Sequence, residues 1–145
     1  MSAMLRAIGR MMTTLALLIG AGAGVLAVAA PAQAARATAY QVTVDRTGGF
    51  AGVNEQYTVL SHTVHLSTPD LMYAVNGREF RTLAHSYLPA QPGADRFTYT
   101  VTVSYTNGRT KTISTLDGAD APAVLWQVID MTMRISTDLA AASAA

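Results

Sequence analysis

The chain has 145 residues, with ten Lys and Arg against nine Asp and Glu, three His and no cysteine. Half of the residues are hydrophobic and 13% are charged, which is enough apolar material for one packed domain. These figures exclude disulfides, thiol catalysis and thiolate metal sites, and a net charge of +1 with no basic run gives nucleic acid nothing to bind.

Arg6 and Arg10 precede an apolar run over residues 15–30, and Ala32-Gln33-Ala34 has the small-x-small pattern of a signal-peptidase site. The run is nearly long enough to span a bilayer, so a membrane anchor is the competing reading. Its alanine and glycine content, the break at Pro31 and the cleavage pattern favour export. Residues 1–34 are therefore expected to be a signal peptide, and the product to be secreted, with no membrane attachment after cleavage. The remaining 111 residues carry eight Lys and Arg against nine Asp and Glu, a net charge of −1. An α+β domain is expected over residues 35–136, followed by a small, alanine-rich, flexible tail over residues 137–145.

Tyr40, Val42 and Val44 alternate with Gln41 and Thr43, the period of a half-buried strand. Arg46-Thr47-Gly48-Gly49-Phe50-Ala51-Gly52-Val53 follows, with three glycines around one aromatic residue. This is the composition of a shaped loop between strands, since glycine reaches backbone angles closed to other residues. Phe50 either stands at the loop tip or folds back into the core. A second strand is expected over residues 55–60, extended by or joined irregularly to the strand-like Ser61-His62-Thr63-Val64-His65-Leu66. Ser67-Thr68-Pro69-Asp70 signals a helix start. Leu71, Met72 and Val75 give that helix an apolar stripe, and Asn76-Gly77 stops it after about two turns. Phe80 and Leu83 should dock the next segment onto the core, ahead of a loop at Pro89-Ala90-Gln91-Pro92-Gly93-Ala94.

The clearest strand is Phe97-Thr98-Tyr99-Thr100-Val101-Thr102-Val103-Ser104-Tyr105, apolar at odd positions and hydroxylated at even ones. Asn107-Gly108 is a strong hairpin signal, and the partner strand runs from 109 to 116. A two-residue turn pairs Tyr105 with Thr110 and Val103 with Thr112. It sets Ile113 on the wrong face, so either both faces are partly covered or a bulge shifts the register. Asp120 and Pro122 should open a last helix reaching about Ile135, its apolar face made of Val124, Leu125, Val128, Ile129, Thr132 and Ile135. The expected architecture is a four-stranded antiparallel sheet with two helices, in ββαββα order. Its core should include Val42, Val44, Tyr99, Val101, Val103, Leu125, Val128 and Ile129.

The residues offer little catalytic chemistry. His62 and His65 would lie on opposite faces of a strand, and no His-Glu-x-x-His motif is present. Asp117 and Asp120 flank a turn and a helix start, where aspartate commonly caps. No serine sits in a Gly-x-Ser-x-Gly elbow, and no lysine follows Gly48-Gly49 to hold a phosphate. No enzyme activity, metal or cofactor is expected.

The order of motifs carries a resemblance. The run Tyr40-Gln41-Val42-Thr43-Val44-Asp45-Arg46-Thr47-Gly48-Gly49-Phe50-Ala51-Gly52-Val53 resembles the start of emfourin-type proteins, inhibitors of thermolysin-like zinc metalloproteases. Asp95-Arg96-Phe97-Thr98-Tyr99-Thr100-Val101-Thr102-Val103 looks like their second block. The resemblance implies a monomeric protease inhibitor that enters the target cleft with Gly48, Gly49, Phe50, Ala51 and Gly52, with Asp45 and Arg46 as rim contacts. The alternative is a secreted structural or recognition module binding another extracellular ligand.

Overall fold

A computed structural model describes residues 36–91, 93 and 95–145. The expected signal peptide, Ala35, and Pro92 and Ala94 of the expected loop lie outside the described residues. Strand β1 (Ala39–Gly48) and strand β2 (Val53–Leu60) form a hairpin. Helix α1 (Thr68–Asn76) and the one-turn helix α2 (Arg78–Arg81) follow. A two-residue strand β3 (Ser86–Tyr87), the hairpin β4 (Phe97–Tyr105) and β5 (Thr110–Leu116), and helix α3 (Ala123–Ser143) complete the domain.

The α+β class holds, but the sheet has five strands in the order β2-β1-β4-β5-β3, and there are three helices among the described residues. This corrects the four-stranded antiparallel sheet and the ββαββα order. The additional strand is β3, which runs parallel to β5 with Ser86 opposite Ser114 and Tyr87 opposite Thr115. A pair of residues has no periodicity to read. β3 exists because the chain leaving α2 is held against β5, where the Ser114 N–H donates to the His85 carbonyl at 3.0 Å. The additional helix, α2, is a single turn that buries Phe80 completely.

The β4–β5 hairpin also differs from the two-residue turn. Its loop is Thr106-Asn107-Gly108, closed by Tyr105 N–H to the Arg109 carbonyl at 2.9 Å and Gly108 N–H to the Tyr105 carbonyl at 3.0 Å. Gly108 adopts φ +77°, the left-handed residue that a three-residue hairpin loop needs. Thr110 thus pairs with Ser104 and Ile113 with Val101. The one-residue shift returns Ile113 to the face of Val101 and buries it fully.

The core lies between one face of the sheet and the helices. It joins Val42, Val44, Val59, Val101, Val103 and Ile113 to Leu71, Val75, Phe80, Leu125, Val128 and Ile135. Tyr99, expected in the core, is only half-buried and meets Trp126 edge-on at 5.9 Å. Ser61 to Leu66 takes the second of its two readings, an irregular connection after β2. Two further expectations give way. Asp120 does not cap α3, whose N-cap is Pro122. The helix does not end near Ile135 but runs to Ser143, because alanine has the highest helix propensity of any residue. The other sheet face carries Thr43, Thr58, Thr100, Thr102, Thr112 and Ser114. Hydroxyl pairs on neighbouring strands approach within 3.3 to 3.4 Å.

Candidate functional site

The glycine-rich segment forms the turn between β1 and β2. Gly48 pairs with Val53, and Gly52 N–H donates to the Gly49 carbonyl at 3.1 Å. Phe50 and Ala51 are thereby set at the tip. Phe50 is 94% exposed, so it does not fold back into the core. Gly48, Gly49 and Gly52 have φ of +97°, +70° and +63°, angles that a Cβ makes costly.

Two of these glycines are also required by the protein's own packing. A Cβ on Gly48 would stand 2.7 Å from the Arg96 carbonyl oxygen, and one on Gly49 2.6 Å from the Phe97 ring. Gly49 N–H donates to that same Arg96 carbonyl at 3.1 Å. The turn is therefore fastened to the start of β4 by one hydrogen bond and by close backbone approach. A Cβ on Gly52 would meet nothing, so only its backbone angle calls for glycine.

A polar and aromatic cluster supports the base of the turn on the helix-facing side. The Arg46 guanidinium lies 3.6 Å from the centre of the Phe97 ring and donates to Glu55 Oε2 at 3.1 Å. Tyr57 O–H donates to the same carboxylate oxygen at 2.8 Å. That bond, together with burial, pushes the Tyr57 hydroxyl pKa above its ordinary value. On the opposite face Gln56 Nε2 donates to Asp45 Oδ1 at 2.7 Å. Asp45 and Arg46, expected as rim contacts, are thus both engaged inside the domain, where they stiffen the hairpin.

Residues 44–133 match the Emfourin family model. The chain belongs to the Emfourin family. The Emfourin match opens inside β1, takes in the whole Phe50 turn and closes within α3. No curated protein and no solved structure matches the chain.

The remaining sequence candidates do not assemble into a site. His65 Nε2 is 3.2 Å from Asp138 Oδ2, and its Nδ1 accepts from Ser67 N–H at 3.1 Å. Those bonds put the proton on Nε2 and tie the 61–67 connection to α3. His85 meets the Thr112 carbonyl at 3.0 Å. No group of three His, Cys, Asp or Glu among the described residues could hold a metal ion. No helix of the described residues is long and apolar enough to cross a membrane.

Sequence reasoning missed an open groove of about 840 Å³ at the other end of the β1–β2 hairpin, lined by His62, Val64, Leu66, Pro69 and Met72 among others. Val64 and Leu66 are 93% and 95% exposed. Their alternation reads as a strand by periodicity, and that disguised two exposed apolar side chains on a loop.

Proposed function

We propose that the protein is a secreted inhibitor of a thermolysin-like zinc metalloprotease, and that the turn Gly49-Phe50-Ala51-Gly52 blocks the active-site cleft. The single observation that carries this reading is Phe50, a large apolar side chain almost wholly exposed at the tip of a turn held from behind. By the family resemblance, such proteases favour a bulky apolar side chain just after the scissile bond. A turn already fastened to β4 loses little conformational freedom on docking, and a lone aromatic entering a pocket is the usual anchor of an interface. The domain acts by occupying the cleft, with no chemistry of its own, and does so as a monomer.

Phe50→Ala is expected to weaken inhibition by about 2 kcal/mol, roughly thirtyfold, with the thermal midpoint unchanged because Phe50 contributes almost nothing to the core. The measurement is an inhibition constant beside a melting curve; an unchanged constant in a folded variant removes the turn from the mechanism.

Export is the second part of the proposal, motivated by Arg6, Arg10, the apolar run and Ala32-Gln33-Ala34. N-terminal sequencing of culture supernatant should find Ala35 first. Intact Met1 in a membrane fraction would refute it.

A second reading, an extracellular recognition module without inhibitory activity, is favoured by the groove beside Val64 and Leu66. A stoichiometric dose of the domain that leaves a panel of thermolysin-like proteases at full rate would select it.

A further inference from the structure

The geometry points to β-strand addition: the free edge of β2 at Asn54 and Gln56 pairs with an extended segment of the bound protease, adding a strand to the sheet. This rests on the inhibitor reading and adds the kind of partner surface that reading needs.

The argument begins with the backbone. Ser61 N–H donates to the Tyr40 carbonyl at 2.9 Å, which identifies Tyr40 and Ser61 as a hydrogen-bonded pair of the β1–β2 ladder. By the alternation of antiparallel pairing, the odd residues of β2 turn their N–H and C=O groups toward β1. The even residues Asn54, Gln56, Thr58 and Leu60 turn theirs outward. Two side-chain contacts agree, because outward groups are where they land. Thr63 Oγ1 accepts from Leu60 N–H at 3.1 Å, and Ser136 Oγ donates to the Thr58 carbonyl at 3.2 Å.

Those contacts cap one half of the edge with the 61–67 connection and with α3. The half next to the Phe50 turn is left open. The N–H and C=O groups of Asn54 and Gln56 have no partner among the described residues. Two residues along a strand span about 6.7 Å, the repeat at which any extended chain presents its own outward groups. The open edge therefore specifies its occupant's chemistry: main-chain donors and acceptors of an extended polypeptide.

The edge also lacks the usual protection against pairing. Natural edge strands are blunted by lysine, proline, bulges or short length. β2 has eight residues, no lysine and no proline, and its pairing with β1 is continuous from Gln41–Leu60 to Gly48–Val53. Its one charged residue, Glu55, is turned to the helix-facing side and bound by Arg46 and Tyr57. The opposite sheet edge, β3, is two residues long and followed within two residues by Pro89. Of the two sheet edges among the described residues, the one beside Phe50 is the longer and the one left able to pair. One extended segment lying along Asn54 and Gln56 continues past Val53 to the turn, so strand pairing and the Phe50 anchor act on the same partner.

The test uses the intact mature domain and a thermolysin-type protease that it inhibits. Hydrogen exchange at the Asn54 and Gln56 amides should slow by about tenfold or more in the complex. Gln56→Pro removes the outward N–H while keeping a residue that edge strands tolerate. It should weaken inhibition by about tenfold, the worth of one interfacial hydrogen bond, with the fold intact. Gln56→Ala keeps the N–H and should inhibit nearly as well as the parent. Equal exchange in free and bound protein, or a folded Gln56→Pro with parental inhibition, overturns strand addition while leaving the Phe50 turn standing. If Gln56→Pro fails to fold, the exchange measurement decides alone. A parent domain that inhibits no protease overturns both readings.

Discussion

Tyr105 links the second hairpin to the helices through one hydroxyl. Its O–H donates to the Val75 carbonyl at 3.1 Å, satisfying one of the carbonyls that the end of α1 leaves unpaired. Burial pushes its pKa above the ordinary tyrosine value, and the Arg81 guanidinium, 4.7 Å from the ring centre, opposes the shift. A tyrosine whose folded pKa exceeds its unfolded value of about 10 contributes stability that is complete below that pH. The contribution is lost as pH rises through the folded value. Tyr105→Phe is expected to cost about 1–2 kcal/mol at neutral pH, because the Val75 carbonyl is left buried without a partner. The variant should also lose less stability than the parent as the pH rises above about 10. Tyr57, held up chiefly by Glu55, remains in the variant, so the alkaline slope shrinks without vanishing. Denaturant titrations across that range check both statements, and a parental slope would show that Tyr105 does not titrate with unfolding. At this scale Asn76 was legible only as a helix stop. Its Oδ1 accepts from Ala39 N–H and from Arg81 Nη2, both at 2.9 Å, and its Nδ2 donates to the Met72 carbonyl at 2.8 Å. The bond from Ala39 reaches across the chain to β1, and local spacing holds no record of it.

Among the elements, legibility followed periodicity. β4 alternates over nine residues and was read at its true bounds. Val101 sits at its centre, opposite Val44 on β1 and Ile113 on β5, and is fully buried. Val101→Ala should cost about 1–3 kcal/mol, the lost burial of two methyl groups plus the cavity they leave. A titration showing no loss would deny that this strand is central. The register of its partner was not legible, because Asn107-Gly108 is compatible with loops of different length and one residue decides which face Ile113 takes. The apolar requirement for Ile113 did carry the warning, since only the bulged alternative buries it. The turn bearing Phe50 was legible as a glycine-rich loop. Its fastening to Arg96 and Phe97 was not, because those residues lie far along the chain and the contact is backbone to glycine. The edge of β2 was hidden for a different reason: which strands lie outermost is a property of the sheet order, not of any one strand's composition.

At the scale of the molecule, the described helices that pack against the sheet lie on one face, and no other described element covers the hydroxyl-rich face. That sidedness was readable from the odd–even pattern of β4. The strand order was not, since it depends on β1 choosing β4 as its second neighbour. That choice has a kinetic consequence. The β1–β2 and β4–β5 hairpins close locally, in about 1–10 μs for such units. The central seam instead joins Gly48 to Phe97 and Ala39 to Tyr105, with both first helices in the intervening chain. Its formation waits on a long loop closure, the feature that places sheet-rich domains in the millisecond-to-second range. Until β4 has left the ribosome, β1 has one bare edge of its own, adjoining the unprotected edge strand β2. A nascent chain cut off before Phe97 lacks β4; it would present pairing surfaces on both sides of the first hairpin and would be prone to aggregate.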